Sequence, residues 1–445
     1  MTSEAEWLRL ARRYCFRGRI DRPQTEGPVF SHGSGSLVWD VEGKEYLDFN
    51  SGQMCSALGH NHPRIVDSVA DSLRRMMHAS STYYNEQEIL LAERLASTLP
   101  APLSKCMFAL SGSDANEAAI GIARAATGRH EVASPHVSFH GLGDTPRALT
   151  YAGWREGIPT PAPGAFALLA PYCFRCPVHH TYPACELACL DASMELLDAE
   201  VTGGLAAVIT EPLFSAGGVI EPPPGWLAQV AGETRARGAL FILDEAQTGL
   251  AKLGTMWAFE QEDVLPDVLT VSKHFGGGIA ISAVVTSADI EEEALRRGYS
   301  YGHSHSNDPL ACAAALATLV AIEEERLAER AVEIGGWLRA RLEDVRSRHE
   351  AVGDVRGRGT LQGVELVNRN GLPAFELGET IRRACLRDGL LFSVRRRGSV
   401  LRFVPPFSTT EGQIERAAEI LDAALTEAEG LTGEPAAAAV QEAGE

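Results

Sequence analysis

The chain has 445 residues, 45% of them hydrophobic and 22% charged, the composition of a globular protein with a large buried core. Its 40 basic residues face 59 acidic ones, and the net charge of −19 repels phosphate backbones and excludes a non-specific nucleic-acid binder. No uncharged apolar run approaches the ~20 residues of a spanning helix, so no membrane partner is expected.

The opening Met1-Thr-Ser-Glu-Ala-Glu lacks the basic-then-apolar order of a secretory leader, which points to a cytoplasmic protein whose nine cysteines are reduced. Residues 1–58 read as a helical arm and a hairpin, with apolar and polar residues alternating at 36–40 and 44–49 around a turn. Over 59–309, helical stretches at 63–77, 86–99 and 115–127 alternate with short apolar strands at 106–110, 206–210, 239–243, 268–271 and 283–286. That alternation predicts an α/β fold: a large domain with a mostly parallel sheet covered by helices, and ligands beyond the carboxyl ends of the strands. Residues 310–430 read as a smaller α+β domain: two long helices, a Gly-rich strand pair beginning at Gly353, another helix and a strand at 400–404. The tail, 431–445, is rich in Ala, Gly and Glu without apolar period and reads as disordered.

Of the 40 basic residues only four are lysines, Lys44, Lys105, Lys252 and Lys273. Arginine serves wherever a fixed positive charge suffices, whereas only lysine can lose its proton and attack a carbonyl. Lys44 lies on a solvated hairpin edge, Lys105 heads a strand, and Lys252 reads as a charge in the 249–254 loop. Lys273 is different, because it ends an apolar strand and is followed by a run of glycines that allows close approach. The strand Ala239-Leu-Phe-Ile-Leu ends likewise in Asp244. A strand-end lysine and a strand-end acid suit pyridoxal 5'-phosphate, whose aldehyde forms an imine with the lysine and whose pyridine nitrogen is kept protonated by the acid. Ser111-Gly112-Ser113-Asp114 opens a helix and offers free amides to a phosphate, with Asp114 and Glu117 at the spacing of a capping box.

The motifs Ser111-Gly-Ser-Asp-Ala-Asn-Glu, Phe139-His-Gly, Thr210-Glu-Pro, Leu243-Asp-Glu-Ala-Gln-Thr-Gly, Ser272-Lys, Asn307-Asp-Pro-Leu and Leu401-Arg-Phe-Val-Pro-Pro resemble the class III pyridoxal-phosphate aminotransferases of fold type I. Within that family, Ser51-Gly-Gln-Met, Leu58-Gly-His-Asn-His-Pro and Glu211-Pro-Leu-Phe-Ser are most similar to the 2,2-dialkylglycine decarboxylases. The resemblance implies Lys273, Asp244 and Gln53 as catalytic residues. It implies Gly112, Ser113, Phe139, His140, Ala246, Gln247 and Ser304 as further cofactor contacts, with Ser304 reaching the partner subunit's cofactor in a homodimer or higher oligomer. Gln53, Met54, Glu211, Ser215 and Arg402 would line the substrate site, Arg402 gripping a carboxylate through two parallel bonds. An alkali-cation site maps onto Ala79, Ser81, Ser304, Ser306 and Asp308. The activity implied is decarboxylative transamination of a 2,2-dialkylglycine-type amino acid with a keto acid such as pyruvate. A non-decarboxylating amino-acid or ω-amine aminotransferase, or a racemase, is the alternative on the same cofactor. A non-catalytic α/β binding protein would lack a use for Lys273, and no Gly-x4-Gly-Lys-Ser/Thr loop is present. The stretch Cys173 to Cys189, with four cysteines, has no counterpart in the decarboxylases and suits reduced thiols, a zinc ion or a disulfide.

Overall fold

The computed structural model describes residues 3–16, 27–153 and 162–432. Its central sheet has seven strands in the order Lys105–Ala109, Ser282–Thr286, Val268–Val271, Leu240–Asp244, Leu205–Thr210, Glu131–Pro135 and Ala165–Leu168. All pairings are parallel except those of Ser282–Thr286, which runs antiparallel to both neighbours. Both faces are covered, so the inner strands are apolar throughout and their alternate residues feed two cores. Val208, Leu243 and Leu269 point into one, and Ile209, Ile242 and Val268 into the other. The outer strands Glu131–Pro135 and Ala165–Leu168 were not expected from the sequence: one carries a glutamate and a proline, the other is four residues long, and neither has a strong apolar run.

Helices open and close close to the expected places, for local reasons. Gly112–Thr127 is capped by Ser111, whose hydroxyl accepts from the Asp114 amide, and stops at Gly128 in the left-handed conformation. The capping pair is therefore Ser111 with Asp114, whereas Glu117 turns away to accept from the Thr145 amide. Glu86–Ser97 opens on a capping box of Asn85 and Glu88. Pro309–Glu324 is almost wholly apolar and is buried on nearly every side, as its residues demand.

Two smaller sheets flank this body. One holds Phe30–Ser34, Leu37–Asp40, Glu45–Asp48 and the short Leu390–Leu391, so the N-terminal hairpin is paired to a late segment of the chain. The other is antiparallel, in the order Val352–Arg358, Leu361–Leu366, Val400–Phe403, Ser393–Arg395. The helices Leu327–Arg348, Leu377–Arg387 and Glu411–Thr432 share with these sheets a core that includes Leu47, Phe49, Leu338, Ile381, Leu401 and Leu421. Most of the tail expected over 431–445 lies outside the described residues; 431 and 432 end the last helix.

The small antiparallel sheet is fastened to the large one by polar bonds. Arg356 donates to the carbonyls of Gly218 and Val219 at 2.7 to 3.1 Å, and its guanidinium pairs at 2.7 Å with Glu365, which also holds Arg175 and the Tyr172 hydroxyl. A β-carbon on Gly335 would lie 2.3 Å from the Gly359 carbonyl oxygen, where helix Leu327–Arg348 crosses the loop that meets Lys252. Gly335→Ala is therefore expected to cost about 1–3 kcal/mol by overpacking. A denaturant midpoint equal to wild type would show instead that the helix retreats freely.

Candidate active site

The carboxyl ends of the central strands converge on Asp244. It is 4% exposed, and its carboxylate accepts from Asn116 Nδ2 at 2.7 Å, His140 Nδ1 at 2.9 Å and the Ala246 amide at 3.0 Å. Three donors compensate the lost hydration of a buried negative charge. Each comes from a different place in the fold. Ala246 follows the same strand, His140 lies beyond Glu131–Pro135, and Asn116 lies on the first turns of helix Gly112–Thr127. The amide of Asn116 is itself oriented, since Thr270 Oγ1 donates to its Oδ1 at 2.7 Å and its Nδ2 also reaches the His140 carbonyl at 2.7 Å. Sequence reasoning missed Asn116, although it stands inside a quoted motif. Glu245, the next acid along, faces away and accepts from the Ala258 and Phe259 amides, and burial pushes its carboxyl up to about 8.

Lys273 follows Val268–Val271, the strand beside Asp244, and holds φ +60°, a left-handed conformation that costs about 1–3 kcal/mol in a non-glycine residue. Burial pulls its amine below the usual lysine range. Cys55 and Asp244 oppose that fall, and Arg402 and Arg395 add to it. Across from it, the amides of Gly112 and Ser113 open their helix without an acceptor among the described residues. Ser113 Oγ accepts from the amides of Leu142 and Gly143 at 3.1 and 2.9 Å, which leaves its own hydrogen to donate. A β-carbon on Gly112 would lie 2.6 Å from Ser272 Oγ and 3.8 Å from the Ala246 side chain, so a larger residue there would have to push the Ser272 hydroxyl aside. His140 Nε2 is buried and has no partner among the described residues. A strand-end lysine, a fixed carboxylate and a glycine-lined ring of free amides fit the requirements of pyridoxal phosphate.

Arg402 comes from Val400–Phe403 of the small antiparallel sheet. It is 1% exposed; Nε donates to Ser393 Oγ at 2.9 Å, and Nη1 to Ser215 Oγ at 3.0 Å and Gln247 Oε1 at 3.1 Å. Nη2 takes part in none of these bonds, and no carboxylate pairs with the guanidinium among the described residues. Burial first, and Arg395 second, disfavour its charge, while Glu211 favours it. Because Gln247 accepts through Oε1, its NH2 faces elsewhere as a free donor. Glu211, 2% exposed, accepts from the Phe139 amide at 3.0 Å and the Ser215 amide at 3.3 Å, and burial with the nearby Asp244 pushes it well above the usual carboxylate range. The structure thus joins Glu211, Ser215, Gln247 and Arg402 into one chain of bonds. Phe139 is half-buried beside His140.

Ser51-Gly-Gln53-Met54 makes a left-handed turn, with φ of +46°, +54°, +65° and +67°. Each non-glycine residue in that conformation costs about 1–2 kcal/mol. Asp48 holds the turn by accepting from the Gly52 amide at 2.7 Å and from His60 at 2.8 Å, while the Ser51 hydroxyl bonds the Val404 carbonyl, two residues from Arg402. Met54 is buried against Leu213 and Val404, and Gln53 is exposed on the outside of the turn.

Lys252 differs most from its expectation. In place of a solvated loop charge it is completely buried, its Nζ without a hydrogen-bond partner among the described residues and 5.7 Å from the centre of the Phe407 ring. Burial brings its amine down to about 7, opposed by Cys55 and assisted by Arg402 and Lys273. A folded chain that releases this proton near 7 while an unfolded one keeps it to 10.5 is stabilised as pH rises between those values. The slope is at most about 1.4 kcal/mol per pH unit. Lys252→Met removes the titration, so its melting temperature is expected to exceed wild type near about pH 7 and to converge on it by about pH 10. A difference independent of pH would show that the amine is solvated.

Ser304 is exposed, as is Ser81, and Ser306 accepts from the His303 amide. The carboxylate of Asp308 is bonded to His78 and His305. The four cysteines between Cys173 and Cys189 are free thiols, and they make no metal-sized cluster among the described residues. Their loop docks on the small antiparallel sheet through Tyr172 and Arg175 at Glu365. No helix among the described residues is long and apolar enough to cross a membrane.

Residues 22–425 match the model of the aminotransferase class-III family. The chain is 32% identical to the leucine/methionine racemase of Thermococcus litoralis over 93% of its length and 94% of the relative's. It is 33% identical to the acetylornithine aminotransferase of Methanothermobacter thermautotrophicus, over 95% and 98%. Its fold superposes with a TM-score of 0.90 on the crystal structure of an (S)-enantioselective omega-transaminase from Thermomicrobium roseum, 29% identical, covering 96% of this chain and 99% of that one. The chain belongs to the class III aminotransferases, enzymes of pyridoxal 5'-phosphate with the fold of type I transferases.

Proposed function

We propose that the protein is an amino-acid aminotransferase that passes the amino group of a carboxylate-bearing donor to a 2-keto acid such as pyruvate. The observation that carries this reading is Arg402, a buried guanidinium with neutral partners and no carboxylate of its own. A buried cation without a counter-ion is costly, and a substrate carboxylate removes that cost on docking. Neither of the named relatives is described as a decarboxylase, and both names concern amino acids. The decarboxylating activity inferred from the resemblance therefore gives way to plain transamination. Gln53, an uncharged amide exposed on the strained turn, keeps it as a second reading. Carbon dioxide released from 2-aminoisobutyrate in the presence of pyruvate would restore it.

Bound pyridoxal phosphate supplies an aldehyde for amines and a pyridinium ring that accepts electrons. In this reading Gly112 and Ser113 hold the phosphate with their amides, and Phe139 and Ala246 enclose the ring. Asp244, positioned by His140 and Asn116, would face the ring nitrogen. The free NH2 of Gln247 donates to the ring hydroxyl. Lys273 would hold the cofactor, and its depressed basicity suits its amine to accept and return a proton. Met54, Glu211, Ser215 and Arg402 bind the substrate. The unit 59–309 carries the cofactor, and the 310–430 unit with the 1–58 arm supplies Arg402 and the turn. A homodimer brings Ser304 to a neighbouring site; exposed Met76, Met77, Tyr83, Tyr84 and Ile89 border its loop and offer an apolar contact.

Arg402→Gln is expected to raise KM for amino-acid donors about 100-fold, as truncation of a buried charge partner does, and to leave amines without a carboxylate nearly unchanged. Equal effects on both donors would overturn the role. Asn116→Ala removes a bond to a charged group worth about 1.5–3 kcal/mol and should weaken cofactor binding about tenfold, read by equilibrium dialysis and visible absorbance. Unchanged binding would mean that Asp244 needs no support from Asn116.

A further inference from the structure

We propose that His78, His305 and Asp308 form a binding site for a divalent transition-metal ion such as Zn2+, at the place where the resemblance implies an alkali cation. The three side chains come from two separate segments, and one ligand atom of each lies within 4.8 Å of the other two. His78 Nδ1 is 2.5 Å from Asp308 Oδ1 and His305 Nδ1 is 2.6 Å from Asp308 Oδ2, with the two rings 4.8 Å apart. Both imidazoles thus turn the same nitrogen to one carboxylate. An alkali cation prefers oxygen donors throughout, whereas two imidazoles and a carboxylate are the donor set of zinc and its neighbours. The two oxygens of Asp308 face imidazole nitrogens.

Asp308 stands at the N-cap of helix Pro309–Glu324 but its side chain makes no capping bond, so its carboxylate is not committed to the helix. The surroundings hold both segments in place. Asn85 Nδ2 donates to the Asn307 carbonyl at 2.7 Å, and Asn307 Nδ2 donates to Glu88 at 2.8 Å and to the Tyr83 carbonyl at 3.2 Å. Zn2+ would take the place of the bridging protons, each neutral imidazole then carrying its one proton on Nε2, with metal–ligand distances of about 2.0–2.2 Å and water in the fourth position. Bound there, the ion fastens residues 78 to 85 to the 303–308 loop and thereby fixes Ser304. The inference does not depend on the aminotransferase reading.

The test uses purified holoenzyme dialysed against a chelator and then given Zn2+ or Co2+. About one ion per chain should survive gel filtration, Co2+ should show the visible bands of a low-coordinate nitrogen-and-oxygen site, and Zn2+ should raise the melting temperature. His78→Ala with His305→Ala, and separately Asp308→Asn, should weaken binding about tenfold or more and abolish the thermal shift, while the cofactor's absorbance reports intact folding. Cys173→Ser with Cys176→Ser should leave uptake unchanged. Sub-stoichiometric uptake, uptake that persists in the histidine variant or is lost only in the cysteine variant, or stabilisation by K+ but not Zn2+ would each overturn the site.

Discussion

A single buried carboxylate organises this molecule. Three donors meet the buried carboxylate of Asp244, and they are delivered by its own strand, by the helix after the first strand and by the loop after a more distant one. Strand order is thereby coupled to chemistry: Val268–Val271 beside Leu240–Asp244 brings Thr270 to Asn116 and sets Lys273 next to Asp244. Glu245 and Glu211 show the alternative. Both are buried with backbone amides only, and both are driven toward the neutral form.

The cations near Asp244 outnumber that charge. Lys273, Lys252 and Arg402 each have their charged form disfavoured by burial; Arg402 bears on both lysines and Lys273 on Lys252, while Arg402 itself answers to Arg395 and Glu211. Such a pocket is primed for anions: a phosphate at the helix terminus and a carboxylate at Arg402 restore the balance that the chain lacks. Burial loosens the proton on Lys273, and Arg402 and Arg395 add to that effect, which favours the state in which an amine can react.

What could be read in the sequence follows from the kind of signal each feature leaves. The inner strands, buried on both faces, are continuous apolar runs, and Asp244 and Lys273 are conspicuous where such runs end. Glu131–Pro135 and Ala165–Leu168 leave no comparable run and escaped notice. Asn116 resembles any polar residue in a helix's first turns, and only the approach of Asp244 across the sheet gives it a purpose. Lys252 was misjudged because loop lysines are generally solvated, whereas this loop is roofed by Gly359, Thr360 and Phe407. His78 and Asp308 are 230 positions apart, so no spacing rule could have joined them.

The left-handed turn at 51–54 explains how parts so distant in sequence are kept in register. A strained backbone persists only where its surroundings leave no alternative. Here Asp48, on the N-terminal hairpin, binds the Gly52 amide, while Ser51 and Phe49 bind Val404 of the small domain and Met54 packs against Leu213 of the large one. The turn is thus a junction of the N-terminal hairpin, the segment after Val400–Phe403 and the segment that carries Leu213, and Val404, which it binds, stands two residues from Arg402. Arg402 in turn adds to burial in lowering the basicity of Lys273, so the place of the guanidinium that bears on the amine is fixed by a turn that three separate parts of the chain must agree upon.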